Sequence, residues 1–128
     1  MSQFNSKLVI DQLSDMVFAL VEPLIYESSY LDTIIIVPKG FESDGASVPR
    51  IPIVYEMFGN RAHHEAVVHD YLYRIDSNPV APRGVADLIF IEAMKARGKS
   101  CFVRSAMYAG VKAAGWTAYH KRKVEDKL

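Results

Sequence analysis

The sequence predicts an α+β fold, with N-terminal antiparallel β-strands followed by a three-helix C-terminal part that contains a central antiparallel helix pair. Two observations carry this expectation. The first third of the chain holds short β-branched and apolar runs bounded by turn-forming residues, the pattern of strands. After Gly59 the pattern turns helical and stays so. No internal repeat, low-complexity tract or linker divides the 128 residues, so residues 1–128 are expected to form a single domain.

Element by element, residues Met16 to Leu24 (MVFALVEPL) and Asp32 to Val37 (DTIIIV) read as strands. Pro23 and Pro38 mark strand ends or edges, since proline has no N–H to give a ladder. Residues 38–50, PKGFESDGASVPR, form a loop dense in turn chemistry at Gly40, Asp44-Gly45 and Pro49. Asn60 can cap a helix that runs to about Arg74. Pro79 and Pro82 bar helix from the connection at 75–83, and a second helix runs from Val85 to Arg97, stopped by Gly98. Ser100 can cap a third helix reaching Tyr119, whose Ala106, Ala109, Gly110, Ala113, Ala114 and Gly115 offer a small-residue surface for close packing.

Composition narrows the functional classes. Half of the residues are hydrophobic and 23% are charged, which is globular rather than disordered. The single cysteine, Cys101, excludes an internal disulfide and reads as a small core residue, and Trp116 is expected in the core as well. No run approaches a transmembrane span. Asp11 and Asp15 break the apolar start at Leu8 to Ile10, so a signal peptide is not expected. The net charge of zero is polarised: residues 1–94 hold 6 Lys or Arg against 13 Asp or Glu, and residues 95–128 hold 9 against 2. The basic segment can meet phosphate, an anionic membrane or an acidic partner, and it can equally meet the acidic half of its own chain. HKRK at 120–123 is brief and followed by Glu125 and Asp126, so a dedicated nucleic-acid surface is not the expectation.

The chemistry is concentrated in the first two helices. In AVVHDYLY at 66–73 the only strongly polar side chains are His69 and Asp70, and in VADLIFIEAM at 85–94 the only charges are Asp87 and Glu92. A carboxylate taken out of water costs several kcal/mol unless it is paired, hydrogen-bonded or bound to metal. Two adjacent antiparallel helices can bring Asp87 to His69, the arrangement of a general base whose tautomer a carboxylate fixes. Asp70 projects about 100° away round the helix and serves a neighbouring position, such as a metal ion. Asp44 and the carbonyls around Gly45 can complete a hard-cation site of the Ca²⁺ kind. Glu65 and Tyr73 lie four residues either side of His69 on the same face. The same residues can instead form a purely structural polar network, with Asp44 capping a turn and Arg50 neutralising a carboxylate. His63 and His64 are wrongly spaced for a zinc site with His69, and Ser43 and Ser47 lack a nucleophile-elbow context.

Taken together, GFESDGASVPR at 40–50, AVVHDYLY at 66–73 and ADLIFIEAM at 86–94 resemble a small phage- and prophage-associated family whose domain has no assigned function, over about residues 35–118. That resemblance implies viral or prophage origin, with the protein in the host cytoplasm or the virion. The helix pair alone, HDYLY at 69–73 and ADLIF at 86–90, also resembles phospholipase A2, above all its viral capsid form. By position the resemblance implies His69 as the base that activates water, Asp70 as the Ca²⁺ ligand, Tyr73 as a supporting hydrogen-bond donor and Asp87 as the carboxylate orienting His69. SDGAS at 43–47 stands in place of the usual glycine-rich calcium loop, and the disulfides of the secreted enzymes are missing. Two functions follow as expectations: metal-assisted hydrolysis of an envelope ester or amide, or a non-catalytic role among other phage virion proteins in which the same residues form a structural network.

Overall fold

Alternation of buried and exposed residues builds the first third of the chain. A computed structural model describes residues 2–14, 17–43, 64–114, 116 and 119–128. Six short strands form two antiparallel three-stranded sheets: β1 (Gln3–Phe4), β4 (Leu24–Ser28) and β5 (Thr33–Val37) in the order β1-β4-β5, and β2 (Ile10–Gln12), β3 (Phe18–Leu20) and β6 (Glu42–Ser43) in the order β2-β3-β6. In β4 the residues Leu24, Tyr26 and Ser28 face inward, and their neighbours across the hairpin alternate in step, with Ile35 and Val37 buried and Ile34 and Ile36 about half exposed. The run expected as one strand from Met16 to Leu24 is two. Pro23 cannot donate to a ladder, so β3 ends at Leu20 and a separate strand starts at Leu24, running on to Ser28. Met16 lies outside the described residues.

Among the described residues three helices follow: α1 (His64–Leu72), α2 (Arg83–Ala96) and α3 (Cys101–Ala114). Seven of the nine α1 residues are buried, so this helix is enclosed rather than amphipathic. Val67, Val68 and Leu72 join the inner faces of both sheets in one core, each contributing about 1.5–3 kcal/mol by leaving water. Contacts between residue 65 and residue 97, and between residue 73 and residue 87, run in opposite chain directions, so α1 and α2 are antiparallel as expected.

The end of α2 follows the glycine signal in detail. Gly98 adopts φ +79°, its N–H bonds the Lys95 carbonyl at 3.0 Å and the Lys99 N–H bonds the Met94 carbonyl at 3.0 Å, which closes a Schellman turn. Ser100 caps α3 through its hydroxyl, which accepts from the Val103 N–H at 3.2 Å. Val103, Met107 and Val111, four apart, then pack on Phe90 and Met94 of α2 in a second core. The remaining α3 expectations are corrected. Cys101 is exposed because it lies off that four-residue stripe, Trp116 is 65% exposed, and the helix ends at Ala114 rather than Tyr119. Large apolar residues make most of the α3 contact, with Ala106 packed beside them, whereas Ala109 and Ala113 face outward.

Residues 119–128 return across the end of α1. The His120 N–H donates to the Tyr73 carbonyl at 2.7 Å, the Ile75 N–H to the Arg122 carbonyl at 2.9 Å and the Tyr119 hydroxyl to the Ala81 carbonyl at 2.6 Å. Lys127 lies 3.6 Å from Glu42. Part of the basic segment therefore meets the chain's own acidic half.

Candidate functional site

The antiparallel pairing of α1 and α2 delivers Asp87 to His69. His69 Nε2 lies 2.8 Å from Asp87 Oδ1, and the Tyr73 hydroxyl, one helical turn further along α1, donates to the same oxygen at 2.6 Å. Two donors on one oxygen are the setting of an ionised carboxylate. Nε2 is therefore assigned as the donor to Asp87. The His69 ring is held between Tyr73 and Phe90, with centroids 4.2 and 4.7 Å away, and His69 and Asp87 are 0% and 1% exposed. Burial first, and then the bond to Asp87, raise the Tyr73 phenol well above its ordinary pKa, so it stays a donor.

Asp70 points to a different neighbour, as its place on the helix requires. The Ser43 hydroxyl of β6 donates to Asp70 Oδ2 in a short contact, and Asp70 is 4% exposed. Ser43, considered above as a nucleophile, is thus the donor that ties β6 to α1. Asp44 and Gly45, the other expected metal ligands, lie outside the described residues, as do Ser47, Arg50 and His63. Among the described residues no group of three His, Cys, Asp or Glu side chains converges in metal-binding geometry. Of the expected Ca²⁺ ligands, Asp70 is the one that lies among the described residues, and the Ser43 hydroxyl is one of its partners.

Two further carboxylates, Glu92 and Glu65, also have partners. Glu92 accepts from the Tyr26 hydroxyl at 2.7 Å, the Ser28 hydroxyl at 2.8 Å and the Tyr30 N–H at 2.7 Å, clamping the β4–β5 hairpin to α2. Glu65 is turned to the far end of the helix pair, 3.8 Å from both Arg97 and Lys99. It is fully buried, and that burial raises its pKa above the ordinary carboxylate value against the pull of the two cations. Arg74 was missed by the sequence reading. It is 5% exposed and donates to the carbonyls of Glu42 at 2.9 Å and Lys123 at 3.0 Å while its guanidinium covers the Phe41 ring, so it joins β6, α1 and the C-terminal segment. Its signal was available: it is the one cation that closes the apolar run of α1.

Chemically, the arrangement supplies a histidine with a fixed tautomer, a carboxylate to stabilise its protonated form and, one residue on, a second carboxylate aimed elsewhere. Comparison with known proteins yields one family match: a family described as protein of unknown function (DUF1353) matches residues 18–111. No curated protein and no solved structure matches the chain.

Proposed function

We propose, from the premise that the chain belongs to the DUF1353 family of proteins of unknown function, that it is a phage- or prophage-derived hydrolase whose His69 activates water against an ester or amide of the cell envelope. The observation that carries this reading is the sharing of Asp87 Oδ1 between His69 Nε2 and the Tyr73 hydroxyl, at 2.8 and 2.6 Å. It is the carboxylate–histidine pairing that a general base requires, with the phenol holding the carboxylate in place. The phospholipase A2-like order H-D-x-x-Y then A-D-x-x-F supports the same assignment of roles.

In the proposed reaction Nδ1 of His69 takes a proton from water as the water oxygen bonds to the acyl carbon. Asp87, remaining ionised, stabilises the imidazolium. Collapse of the tetrahedral intermediate breaks the bond to the leaving alcohol or amine, which takes the proton back from Nδ1. Ca²⁺ held by Asp70, Asp44 and the Gly45 carbonyl would supply positive charge for the developing oxyanion.

Release of fatty acid from phospholipid vesicles and of product from peptidoglycan fragments, each measured with Ca²⁺ and with chelator, tests the proposal. Loss of about 10²–10⁴-fold in His69→Ala is expected, the usual worth of a general base. Equal activity in His69→Ala and the parent would overturn it. The full burial of His69 favours a second reading, in which the trio is a structural network of a virion or assembly protein. Mass spectrometry of purified virions decides that reading: absence of the protein removes it.

A further inference from the structure

The outward face of α3 is built as a surface rather than as a packing seam. Its exposed residues are Cys101, Phe102, Ser105, Ala109, Lys112 and Ala113, and at 100° per residue they fall within about 120° of arc, opposite the buried stripe of Val103, Met107 and Val111. Phe102 is 68% exposed, and Trp116, two residues past the helix end, is 65% exposed. Two large aromatic residues are thus exposed, one on this face near its start and one just past the end of its helix.

The stretch of chain that contains this face carries charge of one sign. Residues 93–124 hold eight Lys or Arg and no Asp or Glu. Part of the acidic half of the chain is turned inward. Glu65, Asp70 and Asp87 are all less than 5% exposed, and Glu92 is bonded to three donors of the β4–β5 hairpin. Asp11, Glu22, Asp32, Asp76 and Glu125 remain exposed, so contact with a second copy is an outcome the experiment must separate. A cationic helix carrying exposed Trp and Phe is complementary to an anionic lipid bilayer, where rings seat at the headgroup level and Lys and Arg meet lipid phosphate.

We infer that the outer face of α3, with Phe102 and Trp116 as anchors and the exposed Lys112 between them in the chain, docks the protein on anionic membrane surfaces. No described helix is long and apolar enough to cross a membrane, and the contact is peripheral. It is independent of any catalysis at His69.

Trp116 is the sole tryptophan and therefore reports its own contact. The full chain is mixed with vesicles of phosphatidylcholine alone or of phosphatidylcholine with phosphatidylserine, and both pelleting and Trp emission are read. Anionic vesicles are expected to pellet the protein and shift emission to the blue, and raised salt to reverse both. Phe102→Ser and Lys112→Glu are expected each to weaken partitioning about tenfold, with unchanged circular dichroism because both positions are exposed. His69→Ala is expected to bind like the parent. Absence of pelleting on anionic vesicles at low salt overturns the inference. So does a blue shift that grows with protein concentration without lipid, which would mean that a second copy covers the face, or tighter binding to duplex DNA than to anionic vesicles.

Discussion

Asp87 takes two hydrogen bonds on one oxygen at 1% exposure, so removing a donor and removing the acceptor have different costs. Tyr73→Phe keeps the ring and loses one bond, and about 1–2 kcal/mol of stability is expected to go with it. Asp87→Ala leaves His69 and Tyr73 buried without their acceptor, and about 3–5 kcal/mol is expected to be lost. Urea midpoints with an unchanged slope check both. Glu65 makes a pH prediction. Its pKa is raised above 4.5 by burial, so the folded state holds its proton more tightly than the unfolded state and stability falls as pH rises above that value. Glu65→Gln is expected to remove this fall, with its advantage over the parent growing from acid towards neutral pH in urea melts taken along a pH series. At this scale the sequence was informative where a charge stood in an apolar run: His69, Asp70, Asp87 and Glu92 are all partnered across elements. It was silent on the partners of Arg74 and of the Ser43 hydroxyl, which are backbone carbonyls and a side chain far along the chain that no local pattern encodes.

Helix ends were legible because their chemistry is local. Gly98 and Ser100 do what their residue types dictate, and each has a measurable worth. Nothing lies within 4 Å of a Cβ added at Gly98, so Gly98→Ala is expected to cost about 1 kcal/mol through its positive φ alone. Ser100→Ala is expected to cost a similar amount, about 1 kcal/mol, through loss of the Val103 cap. In thermal melts each shift is expected to be about 3–5 °C, and the double variant is expected to depart from the sum because the two devices share one turn. Strand boundaries and the buried face of α3 were less legible. Pro23 marked an edge without revealing that a new strand begins beside it. Alanines at 109 and 113 satisfy helical spacing as well as Val103, Met107 and Val111 do, and the choice between the stripes fell to the volume that Phe90 and Met94 needed filled.

Across the whole molecule, order in the chain and order in space diverge, and here the sequence revealed least. That strands precede helices was readable from periodicity, yet the two-sheet arrangement, in which β6 returns to pair with β3 and β1 joins β4, depends on pairings between distant segments. Glu92 shows what such pairings weigh. One carboxylate collects three donors from β4 and the hairpin turn, so Glu92→Ala is expected to loosen the β4–β5 hairpin from α2, seen as faster amide exchange at Tyr30 and Leu31 than in the parent. The segment from Tyr119 to Val124 has a temporal consequence. A ribosome makes α1 some fifty residues before it makes this segment, and until then the carbonyl of Tyr73 and the N–H of Ile75 have only water to bond. A nascent chain halted short of Tyr119 would carry His69, Asp70 and Asp87 in full and still hold them in an unfinished, wetted pocket, so the site matures late in synthesis although its residues are made early.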